Sequence, residues 1–269
     1  MLWKSYRENG DRMKIGIFTD TYTPDINGVV SSIVTLQEAL IEKGHEVFVV
    51  TTKKGLISLS YENQVLRVPG IEIKKIYGYK FSTPIQIRAF SHIKAMDLDI
   101  IHVHTEFGVG VLGHVVGKLL KLPIVSTYHT TYEDYTHYVN AFNFLAIEKL
   151  AKKTIVRLSR LFGSSSTIII APSDKTKTML LRYGIKREIV VLPTGLDLDR
   201  FSKGKMDLEL ISQYIEQGEL KPNDHVLVFV GRLAKEKSIQ FIIEGIKDIA
   251  VKDENIKLVI VGSVLLFCP

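Results

Sequence analysis

The stretch Lys14-Ile15-Gly16-Ile17-Phe18-Thr19-Asp20-Thr21-Tyr22-Thr23-Pro24-Asp25-Ile26-Asn27-Gly28-Val29-Val30 decides how this chain is read. Ile15 to Phe18 is an apolar run of the right length for a fully buried strand. Thr19 to Gly28 is a polar loop, and Val29 to Lys43 reads as a helix stopped by Gly44. A strand, a loop and a helix start in that order aim free backbone N–H groups at an anion. Gly28 has no Cβ, so a ligand can approach the backbone there. An ordinary strand-to-helix turn has the same pattern, so a phosphate site and a plain turn both stand at this point. No GxGxxG is present, and a dinucleotide fingerprint is unsupported.

Working outward, strands are expected at Glu46–Thr52, Val65–Val68, Asp99–His104, Pro123–Tyr128, Thr167–Ala171 and Ile189–Leu192. Helices are expected at Ile85–Met96, Val109–Leu120, Phe142–Phe162 (ended by Gly163) and Asp174–Tyr183 (stopped by Gly184). Strands alternating with helices over this length indicate a parallel sheet covered on both faces. Pro193-Thr194-Gly195-Leu196-Asp197 breaks the pattern and marks a boundary. Beyond it come an amphipathic helix over Asp207–Gln217, a strand at His225–Val230, a helix capped by Ser238 and ending near Val251, and a strand at Lys257–Val261. This is the opening of another α/β domain. The divisions are thus 1–12 as a disordered extension, 13–192 as a Rossmann-like domain, 193–223 as linker and helix, and 224–269 as the start of a second such domain.

The chain has 269 residues, 46% hydrophobic and 24% charged, with a net charge of +6. These values fit a globular protein of one or two domains. The single cysteine, Cys268, excludes an internal disulfide framework and fits a reducing compartment. No apolar run is long enough to span a membrane. Met1 to Arg12 contains no apolar core of a secretory signal.

Several residues carry possible chemistry. In Gly231-Arg232-Leu233-Ala234-Lys235-Glu236-Lys237-Ser238, Arg232 offers a planar fork of donors and Lys237 a mobile point charge beside a helix start. That suits a diphosphate, and a solvated basic loop is the plainer alternative. His102 and His104 alternate along a strand and point to one face, as a packed or hydrogen-bonded pair. No third ligand at metal-site spacing accompanies them. His129 follows a strand at its carboxyl end, the edge where open α/β sheets bind ligands. It opens a loop rich in Tyr132, Glu133, Asp134 and Tyr135, a sugar-binding segment or a surface loop. On the long helix, Lys149, Lys152, Lys153, Arg157 and Arg160 form one stripe, while Ile147, Leu150, Ala151, Ile155, Leu158, Leu161 and Phe162 form another. The apolar stripe is expected to pack on the sheet. The basic stripe faces solvent or an anionic membrane surface. Lys74 to Arg88, basic with interleaved aromatics, is a second candidate for that surface. No RNA-binding, zinc or helix-turn-helix pattern supports a nucleic-acid partner.

Taken together, these residues resemble family-4 glycosyltransferases, retaining enzymes of GT-B fold with two facing Rossmann-like domains. The resemblance rests on Pro24-Asp25-Ile26-Asn27-Gly28-Val29, His129-Thr130, Ala171-Pro172-Ser173, Pro193-Thr194-Gly195-Leu196-Asp197 with Phe201, and Gly231-Arg232-Leu233 through Lys237. His129-Thr130-Thr131-Tyr132-Glu133-Asp134-Tyr135 is most similar to the branch that glucosylates 1,2-diacylglycerol at the inner face of bacterial membranes. The resemblance implies that His129 contacts the donor sugar near the reacting carbon. It places Asn27 and Gly28 against the donor phosphate, and Arg232 and Lys237 on the diphosphate of a UDP-sugar. Tyr132, Glu133 and Asp134 lie on the acceptor side. It further implies a lipid acceptor, no cofactor or metal, no nucleic acid, and a cytoplasmic, peripheral location. The family's Glu-x7-Glu motif is not found before Pro269, and Ser263 onward diverges. The expectation is therefore a truncated second domain with impaired donor binding. The alternatives are a non-catalytic fragment holding membrane and acceptor, and a mannosyltransferase using GDP-mannose.

Overall fold

The structure, a computed structural model, describes residues 12–55, 58–73, 79–82, 87–129, 145–196, 220–221, 223–231, 233 and 237–262, with scattered positions between 198 and 216. The chain divides into two compact units, Met1–Leu196 and Asp197–Pro269.

The first unit is built on β1 (Lys14–Phe18), β2 (Glu46–Lys54), β3 (Ser60–Glu62), β4 (Val65–Ile73), β5 (Tyr79–Phe81), β6 (Ile100–Val103), β7 (Ile124–Thr127), β8 (Ile168–Ala171) and β9 (Ile189–Val191). Its helices are α1 (Gly28–Glu42), α2 (Ile87–Ala95), α3 (Gly108–Leu120), α4 (Leu145–Ser165) and α5 (Asp174–Arg182). The strands form one sheet in the order β3-β4-β2-β1-β6-β7-β8-β9, with β5 also paired to β4. All pairings are parallel except those of β3 and β5 with β4. These two short antiparallel strands were not expected from the sequence, and β4 runs five residues beyond the expected Val68.

β1 shows why the apolar run reads as it does. Ile17 packs with Tyr22, Ile33, Val47 and Val49 beneath α1. Phe18, on the opposite face, packs with Val50, Ile93, Val103, Val109 and Leu112 beneath α2 and α3. Both faces are covered, so no polar alternation is needed. Farther along the sheet a second core joins Tyr128, Ile169, Leu180, Tyr183, Ile185 and Ile189, with Val156 of α4 against it. Gly44 and Gly184 end α1 and α5 in left-handed conformation, at φ +85° and +81°.

Two expectations for α4 are corrected. Gly163 does not end the helix, which continues to Ser165. It is a close-approach position, because a Cβ there would lie 2.8 Å from Ile185 Cδ1. The inward row is Val156, Ser159 and Gly163, so Leu158 and Leu161 of the expected core stripe are exposed instead.

The second unit contains β10 (His225–Val230), α6 (Ile239–Ala250) and β11 (Ile256–Val261), the two strands pairing in parallel. Ser238 sits at the N-cap position of α6, but at φ +50° and without a side-chain capping hydrogen bond. Its expected capping role is therefore not realised. Residues 1–11, the tail 263–269, the segment 74–78 and most of Asp207–Gln217 lie outside the described residues.

Candidate functional site at the carboxyl edge of the sheet

From β1 the chain first builds outward through β2 to β4, then crosses back to β6 on the other side. The sheet's switch point therefore lies between β1 and β6, and the loops leaving their carboxyl ends form its crevice. Those loops carry Asp20 and Thr105.

Asp20, which the sequence reading did not single out, is the knot of this crevice. Its Oδ2 accepts a hydrogen bond from Thr105 Oγ1 at 2.6 Å and its Oδ1 one from the Val109 N–H at 2.8 Å. Its own N–H donates to Thr105 Oγ1 at 3.0 Å, and its carbonyl accepts from Thr52 Oγ1 at 2.8 Å. The carboxylate thus sits at the positive N-terminus of α3. Burial nevertheless pushes its pKa above the ordinary carboxylate value, against the lowering effect of the bonds to Thr105, Val109 and Gly110. The anion-binding end of α3 is occupied by a side chain of the protein itself.

α1 is different. Asn27 caps it, Oδ1 accepting from the Val30 N–H at 3.0 Å, while Nδ2 donates to Thr21 Oγ1 at 2.9 Å. Gly28 opens the helix and is exposed, and a Cβ built there meets nothing within 4 Å among the described residues. A ligand can approach the backbone of this first turn at Gly28, while the Val30 N–H is already bonded to Asn27.

The histidines lie on the α1 face of the same edge, since His102 stands in register beside Ile17. His102 Nε2 is 2.7 Å from Thr127 Oγ1, and His104 Nδ1 is 2.8 Å from His129 Nε2. The His104 ring lies between the other two, with centroids 4.0 Å from His102 and 5.1 Å from His129. Burial lowers all three pKa values, His102 to about 3, His129 to about 4 and His104 well below its ordinary value. His129 is half-buried at the end of β7 and is the member nearest solvent. Among the described residues no group of three or more His, Cys, Asp or Glu is arranged to hold a metal ion.

On the other face, Thr105, His114, Ser126, Tyr128 and Ser159 help line a small cavity of about 20 Å³. That is room for one water molecule. Along α4, Lys153, Val156, Arg157 and Arg160 line an open groove of about 430 Å³. Arg160 is held there by donating from Nε to the Tyr183 carbonyl at 2.8 Å. Three of the five basic-stripe residues therefore converge. The side chains of Lys149 and Lys152, and the whole of Tyr132, Glu133, Asp134 and Arg232, lie outside the described residues. Lys237 is exposed. Among the described residues no helix is long and apolar enough to cross a membrane.

A Rossmann-like unit with its crevice at the β1/β6 switch point, followed by a second strand–helix–strand unit, is the architecture of GT-B glycosyltransferases. A solved α,α-trehalose 6-phosphate synthase from Burkholderia multivorans shares this fold, with a TM-score of 0.55 at 12% identity over 93% of this chain and 64% of that one. The chain belongs to glycosyltransferase family 4, whose profile matches residues 26–200, and residues 211–265 match the glycosyl transferases group 1 profile. It is 33% identical over 252 residues to an alpha-monoglucosyldiacylglycerol synthase of Streptococcus pneumoniae, covering 93% of this chain and 56% of that protein. It is 32% identical over 253 residues to the enzyme of the same name from Acholeplasma laidlawii, covering 93% and 63%. The chain thus spans little more than half the length of these relatives.

Proposed function

We propose that this chain serves hexosyl transfer from a nucleotide sugar, UDP-glucose, to the free hydroxyl of 1,2-diacylglycerol, with retention at the anomeric carbon. The observation that carries this reading is the position of His129, half-buried at the carboxyl edge of the sheet that also presents the open first turn of α1 at Gly28. The kinship with two monoglucosyldiacylglycerol synthases supports the choice of donor and acceptor.

In the reaction the bond from the anomeric carbon to the diphosphate oxygen breaks, and its electron pair stays on phosphate. The acceptor oxygen bonds to that carbon from the same face, and its proton passes to the departing phosphate. Charge grows on the diphosphate, so donors already aimed there favour the transition state over the ground state. Asn27 and Gly28 supply the α1 turn for this, and Arg232 and Lys237 supply cations. His129, neutral because burial depresses its pKa to about 4, acts as a hydrogen-bonding group toward the sugar and not as a charge. Tyr132, Glu133 and Asp134 take the acceptor side. The chemistry assigned here needs no resident metal, and nucleic acid has no part in it.

The acceptor lies in a bilayer, and α4 has a surface to meet one at the membrane's inner face. Lys153, Arg157 and Arg160 are exposed beside the exposed Leu158 and Leu161, a basic and apolar mixture that rests on anionic headgroups. By their three- and four-residue spacing in the sequence, Lys149 and Lys152 are proposed to belong to the same stripe. Each basic residue near such a surface adds about 1 kcal/mol.

The test is transfer of radiolabelled glucose from UDP-glucose into the lipid phase of diacylglycerol vesicles, with and without anionic phospholipid. The expected result is a lipid-soluble α-glucoside, made faster on anionic vesicles and reduced about 100-fold by His129→Ala, the scale for one transition-state donor. Transfer from GDP-mannose alone would refute the donor. Vesicle binding without any transfer would refute catalysis by this chain and leave a binding module.

A further inference from the structure

The His104–His129 contact contains more information than proximity. Burial keeps both rings neutral, so each carries a single proton, and their 2.8 Å contact needs one donor and one acceptor. Two arrangements satisfy it. If His129 Nε2–H donates to His104 Nδ1, the proton of His104 must sit on its Nε2. That atom is buried, and it has no hydrogen-bond partner among the described residues. If instead His104 Nδ1–H donates, the buried Nε2 carries only a lone pair. An orphaned buried N–H is the rarer of these two defects in folded proteins.

We propose that His104 is a positioning residue that donates from Nδ1–H to His129 Nε2 and so locks His129 in its Nδ1–H tautomer. His129 then presents a fixed N–H donor to an acceptor oxygen of its ligand, and its own lone pair is turned inward. The ring that does this is itself held. His104 is 2% exposed and packs against His102, whose Nε2 is anchored on Thr127 Oγ1. The proton on one imidazole nitrogen is set by the partner of the other. This assignment deepens the proposed function, because it rests on His129 facing the donor sugar, where oxygen acceptors abound.

The first experiment needs no activity. Long-range proton–nitrogen correlation spectra of the full chain labelled with ¹⁵N-histidine report which nitrogen of each ring is protonated, and the His129 signals are assigned by their loss in His129→Gln. Protonated Nδ1 with bare Nε2 at His129 is expected at neutral pH. Protonated Nε2 would overturn the assignment. The second experiment uses variants in the UDP-glucose transfer assay. His104→Asn keeps an amide N–H close to the Nδ1 position, whereas His104→Leu keeps bulk without a donor. Leu is expected to lower kcat about 10-fold or more, the scale of losing an orienting partner, with vesicle binding unchanged. Asn should recover to within a few-fold of the parent. Equal losses in both would mean that packing and not donation matters, against the proposal. An Nδ1–H tautomer in a chain that transfers no sugar would sink the proposed function and leave the tautomer lock standing.

Discussion

β1 of the first unit and β10 of the second are both apolar strands in parallel pairing, each followed by a loop and a helix, yet only one of them is core. Ile17 and Phe18 are fully buried, whereas Val228 and Val230 are 60% and 74% exposed. No hydrophobic residue of the second unit is buried among the described residues, and α6, amphipathic as it is, buries none. The difference lies in the neighbours. β1 has strands on both sides and helices on both faces, while among the described residues β10 pairs with β11 alone. A strand's apolar sequence states what it can bury. The sheet around it decides what it does bury.

The sharpest way to break this comparison is a matched pair of truncations. Phe18→Ala should cost about 3–5 kcal/mol in urea denaturation, as a cavity opens between the sheet and α2 and α3. Val228→Ala should stay within about 0.5 kcal/mol, as for other exposed substitutions. Comparable losses would show that β10 belongs to a core after all. Amide hydrogen exchange gives the same contrast residue by residue, with β1 and β6 protected well beyond β10 and β11.

Acid should act on the first unit through its buried imidazoles. His102, His114 and His129 are held neutral when folded, with pKa values near 3, 4 and 4, against an ordinary value of 6.5. The unfolded chain binds protons at 6.5 that the folded chain refuses. Their contribution is therefore complete above pH 6.5 and declines as pH falls toward 4, by up to about 1.4 kcal/mol per pH unit for each histidine. Asp20 works the other way. Its raised pKa means that the folded state takes up a proton more readily, so its titration adds stability as pH falls toward 3.8. Urea midpoints at pH 7, 6 and 5 should drop steadily, and His114→Gln should flatten the slope. A flat profile in the parent would contradict the buried neutral state of these rings.

The elements of the first unit were legible to within a few residues wherever apolar periodicity was strong. β3 and β5 were not, because short antiparallel edge strands are set by their pairing with β4 and carry little pattern of their own. Gly163 misled for a physical reason. Glycine weakens a helix locally, but here Ile185 needs the space that a side chain would take. The same applies to the site. His129 could be placed because it directly follows an apolar strand. Its partner His104 could be assigned only to a face of the sheet, since the bond between them spans 25 residues. Asp20 left no signal at all: one carboxylate after a strand is ordinary, and its partners Thr105 and Val109 lie 85 and 89 residues away.

The helix starts give the finest contrast between the units. Asn27 adopts extended backbone at the head of α1 and accepts from the Val30 N–H, whereas Ser238 heads α6 in left-handed conformation and caps nothing. Asn27→Ala should therefore cost about 1 kcal/mol, read as a lower urea midpoint. Its loss also releases Thr21 Oγ1 from the Asn27 amide, which places the value toward the upper side of the usual range. Ser238→Ala removes a hydroxyl that makes no cap bond and should change little. Ser238→Gly should stabilise α6 by up to about 1 kcal/mol, the relief of a left-handed Cβ cost of roughly 1–2 kcal/mol less the roughly 0.5–1 kcal/mol that glycine's greater freedom in the unfolded chain costs. Slower exchange of the α6 amides in Ser238→Gly is the measurement. Faster exchange would mean that the serine hydroxyl holds the helix start after all, and that the two units begin their helices alike.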